Sequence, residues 1–186
     1  MKFERLSIPD VVLIKPSKFG DTRGYFMETY RQDLFAEQIG PMTFLQDNQS
    51  KSVEAGTVRG LHFQLDPMSQ GKLVRCIAGA LLDVAVDIRK GSPTYGKWVS
   101  AELTCDNGLQ LWVPPGFAHG FCTLVANTEI SYKVTNYYSP ENDRGLRWDD
   151  PIIAIDWPVK SEDAVLSTKD AEQPSLSALG DCFFYH

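Results

Sequence analysis

Three side chains in this sequence are suited to moving protons or stabilising charge. His62 carries an imidazole, a group whose ordinary pKa of about 6.5 lets it accept a proton near neutral pH. Tyr132 carries a phenol, a proton donor with an ordinary pKa of about 10, and Lys72 supplies a cation. Taken singly, each also has a plain structural explanation, as a hydrogen-bonded core histidine, a core aromatic or a lysine at a solvated turn. Proton transfer is therefore a hypothesis that needs further support from the surrounding sequence.

Signatures of nucleotide and nicotinamide cofactors do not occur in the sequence. Residues 91–98 come within one position of the phosphate-binding pattern G-x-x-x-x-G-K-[ST], but Trp98 replaces the hydroxyl that would ligate Mg²⁺. The dinucleotide pattern G-x-G-x-x-G is missing. We therefore expect a protein that works without a cofactor.

The metal-ligating residue types are also too sparse for a metal centre. Gly108, five residues, Pro-Pro-Gly, two residues and His119 resemble the second conserved box of the cupin superfamily. The first box of metal-binding cupins contains His-x-His, whereas Gln64 follows His62 here. No CxxC pair or zinc spacing occurs among the four cysteines, which are Cys76, Cys105, Cys122 and Cys182. The sequence predicts that no metal is bound.

Composition and charge exclude several classes of protein. The length of 186 residues suits one domain, and 43% hydrophobic with 23% charged residues is typical of a folded globular chain. Asp83 interrupts the longest apolar run well before the roughly 20 residues that a membrane span needs. The net charge of −6 argues against nucleic-acid binding, and the N-terminus lacks the apolar segment of a secretion signal. We expect a cytoplasmic protein that binds neither nucleic acid nor membranes.

Short apolar runs separated by turn residues fill the sequence from about residue 44 to residue 138. This spacing is typical of an all-β sandwich or barrel. Strands are predicted at Leu73–Ala78, Ala80–Ile88 and Ile130–Thr135. Asn107-Gly108 predicts a type I′ hairpin turn that joins a strand at 97–104 to one at 109–113.

Helices are predicted only at the periphery of these strands. Arg31–Ile39 has apolar residues at helical spacing, and Gly40 follows as a stop signal. The polar tail is expected to hold two short helical turns, around Glu162–Leu166 and Leu176–Leu179.

Seven segments, in order along nearly the whole chain, resemble the dTDP-4-dehydrorhamnose 3,5-epimerase family. They are Phe19–Phe26, Gln46–Ser50, Val58–Gln64, Gln70–Arg75, Asp83–Arg89, Pro114–Phe121 and Tyr132–Pro140. The resemblance implies an all-β, cupin-type jelly roll, or double-stranded β-helix, with short peripheral helices. It implies one epimerase domain over residues 1–186, with a core at about 44–138 and a C-terminal extension at about 139–186.

The same resemblance implies an assembly of two chains. In the homodimer that it predicts, N-terminal strands within residues 1–45 are exchanged, so that residues near Arg23 and Glu28 reach the partner's site.

The family's substrate is dTDP-4-dehydro-6-deoxy-D-glucose, and the reaction inverts C3 and C5 to give dTDP-4-dehydro-L-rhamnose. A C–H bond beside the C4 ketone is a weak acid, so the site needs a base, a group that stabilises the enolate oxygen and an acid on the opposite face. By resemblance, His62 is the base, Tyr132 the acid and Lys72 the cation near the C4 oxygen. A carboxylate behind the base would stabilise its charge; the family match places it at Asp170, and Asp83 is the alternative.

The remaining matched positions are expected to bind the substrate. Arg23 and Arg59 suit the diphosphate, because a guanidinium can bind two phosphate oxygens at once. His119 is a candidate donor to phosphate or sugar, and Tyr138 matches the aromatic that stacks on thymine. The other matched positions are Phe26, Glu28, Gln46, Asn48, Asp143 and Lys169. Asp143 stands where some family members have Glu.

Two points stay open. Arg59 and His62 differ in parity, so a regular strand would point them to opposite faces unless Gly60 supplies a bulge. The same residues also fit a single-centre epimerase or a ketoisomerase acting on a related dTDP-4-keto-6-deoxy sugar, or a non-catalytic cupin binding module.

Overall fold

The computed structural model describes residues 1–185; His186, the last residue of the predicted domain, lies outside them. The strands of the first half are β1 (Lys2–Arg5), β2 (Val12–Lys15), β3 (Lys18–Asp21), β4 (Gly24–Met27), β5 (Gln46–Ser52), β6 (Val58–Gln64), β7 (Lys72–Ala78), β8 (Ala80–Asp87) and β9 (Arg89–Lys90). Those of the second half are β10 (Trp98–Thr104), β11 (Gln110–Val113), β12 (Phe117–Thr123), β13 (Thr128–Val134), β14 (Asp143–Gly145) and β15 (Phe183–Phe184). The helices are α1 (Gln32–Gln38), α2 (Thr168–Ala171) and a 3₁₀ turn at Leu176–Ala178.

Two antiparallel sheets form the body of the molecule. One has the order β1-β2-β11-β7-β13-β5 and the other β10-β8-β12-β6-β14. Side chains from both sheets meet in one buried apolar cluster, which includes Val74, Leu81, Leu103, Leu111 and Ile130. The prediction of an all-β jelly roll with short peripheral helices is confirmed.

The outer faces of both sheets are covered by segments from the chain's own ends. Phe35 of α1 packs edge-on against Trp112 of the six-stranded sheet. Leu146, in the C-terminal part, packs with Leu61 and Phe63 of the five-stranded sheet. Leu61 and Phe63 of β6 therefore point to the covered outer face. Because side chains alternate along a strand, the polar residues between and beside them point to the inner face.

The predicted strands agree with β7, β8 and β13 to within two residues at each end. The turn at Asn107-Gly108 also forms, since the Asn107 side chain accepts hydrogen bonds from the backbone N–H of Thr104 and of Leu109. The predicted hairpin is nevertheless wrong, because β10 pairs with β8 whereas β11 pairs with β2 and β7. Gly108 has a positive φ of 63° and Asn107 does not, so the turn is not type I′. The chain reverses here but crosses from one sheet to the other.

The peripheral helices follow the predictions in part. Helix α1 matches the expected Arg31–Ile39 within one residue at each end, and the 3₁₀ turn falls within Leu176–Leu179. The turn expected around Glu162–Leu166 is present only in part: the Asp163 N–H donates to the Lys160 carbonyl at 3.0 Å, whereas Val165 pairs with Thr57 as an isolated bridge. The helix begins later, at Thr168, because the Ser167 side chain caps it by accepting a hydrogen bond from the Asp170 N–H.

The N-terminal segment divides into two parts. Strands β1 and β2 extend the chain's own six-stranded sheet next to β11. Strands β3 and β4 form a separate two-stranded hairpin whose side chains are nearly all exposed. The two main sheets thus take strands from outside residues 44–138, namely β1, β2 and β14.

Within residues 1–185, we find no helix that is long and apolar enough to cross a membrane.

Candidate active site

Gly60 places His62 and Arg59 on the same cavity despite their opposite parity. Its φ is 118°, a value that other residues rarely adopt, and the pairing of β6 with β12 shifts register at this level. A side chain at Gly60 would come within 2.6 Å of the Gly120 Cα atom. The irregularity that the sequence predicted is therefore present. Strands β6 and β12 can approach this closely because Gly60 and Gly120 both lack a side chain.

Strand β5 brings polar side chains to the interior. Gln46, Asn48 and Ser50 alternate with exposed Asp47 and Gln49, so every second residue points inward and is polar. An inner strand face without apolar residues cannot pack as core, and it borders an open cavity instead.

Two adjoining cavities lie between the sheets. The first has a volume of about 360 Å³ and the second about 280 Å³. His62, Lys72, Tyr132 and Lys169 line both of them. The first is also lined by Gln46, Asn48, Tyr138 and Asp143, and the second by Arg59, His119 and Asp170. The structure thus brings together every predicted site residue except Arg23, Phe26 and Glu28.

His62 forms a close hydrogen bond with a carboxylate. Its Nε2 lies 2.5 Å from Oδ1 of Asp170, and the Ser167 hydroxyl donates to the other oxygen at 2.8 Å. Burial raises the pKa of Asp170, but the hydrogen bonds from His62 and Ser167 outweigh it and hold this pKa below its ordinary value. Asp170 is therefore an anion at neutral pH. It can accept the hydrogen on Nε2, which leaves Nδ1 as the ring nitrogen that can take a proton from a bound molecule.

Tyr132 approaches the cavities from the opposite sheet. It lies on β13, whereas His62 lies on β6, and both rings line both cavities. Burial raises the pKa of the Tyr132 phenol, and the nearby Arg59 charge opposes this shift without cancelling it. The phenol thus keeps its proton at neutral pH, and a group that can accept a proton and one that can donate a proton lie on facing sheets.

Lys72 places a cation close to both groups. Its Nζ donates to the His62 backbone carbonyl at 3.1 Å. Burial lowers its pKa to about 8, and the charges of Asp143 and Asp83 limit the fall. At neutral pH the amine is still mostly protonated, so it can stabilise negative charge on a bound molecule.

His119 belongs to a second His–Asp pair. Its Nε2 lies 2.8 Å from Oδ1 of Asp83, and both side chains are buried. Of the two carboxylates that the sequence left open as the partner of His62, the structure places Asp170 beside it and Asp83 beside His119.

Arg59 is held by neighbouring strand residues. Its Nε donates to the Ser52 hydroxyl at 3.0 Å and its second guanidinium nitrogen donates to the Lys51 carbonyl at 3.0 Å. The remaining N–H groups are free to meet an anion in the second cavity.

Three predicted residues lie away from the cavities of their own chain. Arg23 is 88% exposed at the tip of the β3–β4 hairpin and pairs with Asp21. Phe26 and Glu28 are exposed as well.

Several residues that line the two cavities were not predicted from the sequence. Gln70 lines the first cavity, and Ser50 and Ser167 line the second. Ser50 could have been found from its alternation with Gln46 and Asn48, and Ser167 from its position three residues before Asp170, which is typical of a helix cap. For Gln70 the sequence holds no comparable signal.

Across residues 1–185, no three His, Cys, Asp or Glu side chains form a cluster that could hold a metal ion.

Comparisons with known proteins show the family of this chain. The family model for dTDP-4-dehydrorhamnose 3,5-epimerase matches residues 5–178. A dTDP-4-dehydrorhamnose 3,5-epimerase from Sinorhizobium fredii is 63% identical over 185 residues, which cover 100% of this chain and 94% of that protein.

Solved structures are similar over the same extent. A 3,5-epimerase from Legionella pneumophila, crystallised with dTDP-4-keto-L-rhamnose, superposes with a TM-score of 0.94 at 42% identity and covers 100% of this chain and 98% of its own. One from Bacillus anthracis with TDP and pyrophosphate bound has a TM-score of 0.90 at 48% identity, covering 94% and 98%. On this evidence the chain belongs to the dTDP-4-dehydrorhamnose 3,5-epimerase family.

Proposed function

We propose that this protein is a cofactor-independent epimerase that converts dTDP-4-dehydro-6-deoxy-D-glucose to dTDP-4-dehydro-L-rhamnose by inverting C3 and C5. The observation that carries the proposal is the placement of His62 and Tyr132 on facing sheets around shared cavities. Relatives named as 3,5-epimerases, at up to 63% identity, support both the substrate and the isomerase class. They favour an enzyme over a non-catalytic binding module.

Each inversion then consists of two proton transfers. Nδ1 of His62 takes the proton from the carbon beside the ketone, and the electrons of that C–H bond form a carbon–carbon double bond as the ketone oxygen becomes an enolate. The Lys72 ammonium stabilises this oxygen. The Tyr132 phenol then protonates the same carbon from the opposite face, and the ketone re-forms. The His62 imidazolium releases its proton to solvent and the Tyr132 phenolate takes one up from solvent, so both groups are restored before the second inversion.

Asp170 supports the base by accepting the Nε2 hydrogen and by stabilising the imidazolium that forms during the reaction. Arg59 and His119 are proposed to bind the diphosphate or sugar from the second cavity, and Tyr138 to stack on the thymine. Gln46, Asn48, Asp143 and Lys169, which line the first cavity, complete the nucleotide end.

A homodimer is part of the proposal. The β3–β4 hairpin exposes Phe19, Tyr25 and Phe26 to solvent in the isolated chain, an apolar surface that a partner chain would cover. Exchange of this N-terminal region would bring Arg23 and Glu28 to the partner's cavity. Sedimentation at working concentration tests this, and a monomer would contradict it. We also propose a cytoplasmic location, with which four free cysteines agree.

The decisive experiment is turnover of the nucleotide sugar in deuterated water. Because each inversion breaks one C–H bond and returns a solvent proton, NMR of the product should show deuterium at both C3 and C5. Deuterium at a single carbon would identify a single-centre epimerase, and none at either carbon would reject the proposed function.

A further inference from the structure

Asp143 uses one carboxylate oxygen to accept hydrogen bonds from two different parts of the site. Its Oδ2 lies 3.1 Å from the Tyr138 hydroxyl, and Lys169 Nζ donates to the same oxygen. The Asp143 side chain is only 12% exposed. The carboxylate is thus committed to its two neighbours and offers little surface to a bound molecule.

The two donors connect Asp143 to different elements around the first cavity. Tyr138 also donates its backbone N–H to Gln46 Oε1 at 3.1 Å, which links it to the inner face of β5. Lys169 lies in the first turn of α2, directly before Asp170, the residue that holds His62. Asp143 therefore connects Tyr138, which lines the first cavity, to helix α2, which carries Asp170.

The backbone around Asp143 is well fixed. Strand β14 pairs with β6, so that Asp143 lies opposite Gln64 and Gly145 lies opposite His62. The Gln64 side chain in turn accepts a hydrogen bond from the Ser139 N–H at 2.8 Å. A carboxylate held in this way can orient the side chains that bind to it.

We propose that Asp143 is a positioning residue that ties the Tyr138 ring to helix α2 and so couples the nucleotide end of the cavity to the Asp170–His62 pair. This rests on the proposed function, in which Tyr138 stacks on thymine. The Tyr138 ring is 57% exposed and free to be covered by a ligand, and its hydroxyl is anchored on Asp143 before any ligand arrives. Anchoring lowers the entropy cost of ordering the ring on binding. The role differs from the direct substrate contact implied by the family resemblance.

A double-mutant cycle on dTDP affinity tests the link between Asp143 and Tyr138. Tyr138→Phe keeps the aromatic face but removes the hydroxyl, and Asp143→Ala removes its acceptor. Calorimetry should show each single variant binding dTDP about 3–10-fold more weakly, the loss expected for one ordinary, partly exposed hydrogen bond. The double variant should bind no more weakly than Asp143→Ala alone. Losses that multiply, or no loss in either single variant, would overturn the proposal.

Steady-state kinetics test the link to α2. Tyr138→Phe should raise KM and leave kcat nearly unchanged, whereas Asp143→Ala should also lower kcat because it releases Lys169 from the strand beside His62. Asp143→Glu, which keeps the acceptor, should restore most of kcat, and an unchanged kcat in Asp143→Ala would overturn the coupling.

Two controls keep the interpretation clear. Glu141→Ala removes an exposed negative charge from the same loop and should behave like the parent protein. If the parent protein binds dTDP but does not epimerise the sugar, the proposed function is wrong. The double-mutant cycle on dTDP affinity would still show whether Asp143 orients Tyr138.

Discussion

The two His–Asp pairs of this protein have the same chemical groups in different surroundings. They are neighbours, since His62 lies opposite His119 in the pairing of β6 with β12. The His62 side chain is 32% exposed and that of Asp170 6%, whereas the corresponding values for His119 and Asp83 are 8% and 0%. A base must reach a substrate and exchange its proton, so solvent access favours the first pair for catalysis. The second pair is better suited to hold a fixed hydrogen bond.

The carboxylates of the two pairs also differ. Asp170 uses both oxygens, one toward His62 and one toward the Ser167 hydroxyl. Asp83 uses one, and its buried Oδ2 is the single such side-chain atom within residues 1–185 that has no hydrogen-bond partner. A buried charge with one free oxygen depends on nearby positive charge, and Lys72 is close enough for its pKa to be raised by Asp83. A His–Asp pair alone therefore does not identify a catalytic base, whereas the burial and hydrogen bonding around the pair distinguish the two histidines.

The largest expected effect separates the two histidines. His62→Ala should lower kcat by about 10²–10⁴, the usual contribution of a positioned base, with dTDP affinity nearly unchanged. His119→Ala should act mainly on KM, by about tenfold, because it removes one polar contact to the substrate. Steady-state kinetics of both variants decide the matter. A loss of kcat in His119→Ala equal to that in His62→Ala would contradict different roles for the two His–Asp pairs.

The next effect concerns the carboxylate behind the base. Asp170→Asn keeps a similar shape but removes the charge that stabilises the imidazolium, so kcat should fall, by no more than in His62→Ala, with little change in KM. The measurement is kcat across pH for the variant and the parent protein. Should kcat stay at the parent level, Asp170 would have no part in supporting His62.

Asp83 should matter more for folding than for rate at saturating substrate. Asp83→Ala leaves the buried Nε2 hydrogen of His119 without an acceptor, so the free energy of unfolding should fall by about 1–3 kcal/mol. Urea unfolding of this variant beside Asp170→Asn measures the difference. Equal stability of Asp83→Ala and the parent protein would contradict a structural role.

The smallest effect is a pH dependence of stability. The pKa of Asp170 is lower in the folded protein than its ordinary value of 3.8, so ionised Asp170 stabilises the fold above that pH. This contribution should be lost as the pH falls through the lowered folded-state pKa. Unfolding free energies of the parent protein and Asp170→Asn should therefore differ by a constant amount above about pH 5 and converge below about pH 4. If the difference in unfolding free energy grew as the pH fell, it would contradict a lowered pKa of Asp170 in the folded protein.

Local sequence determined much of this fold, because strand alternation and turn chemistry act over a few residues. The apolar runs at β7, β8 and β13 predict their own strands, and Gly60 predicts the irregularity that turns Arg59 and His62 to one cavity. The motif resemblance identified most of the lining residues as well, since each motif consists of a few consecutive residues. Residue type and short spacing were sufficient for these features.

Tertiary structure decided which distant groups meet. The family resemblance had favoured Asp170 as the partner of His62, but it left Asp83 as an alternative. Asp170 lies 108 residues from His62, and Asp83 lies 36 residues from His119, so the partner of each histidine follows from sheet order and from the docking of α2. The Asn107-Gly108 turn shows the same limit, because a turn reverses the chain without choosing the sheet that the next strand joins. Hydrogen-bond partners across a β-sandwich depend on the packing of whole sheets, and that packing is a property of the entire chain.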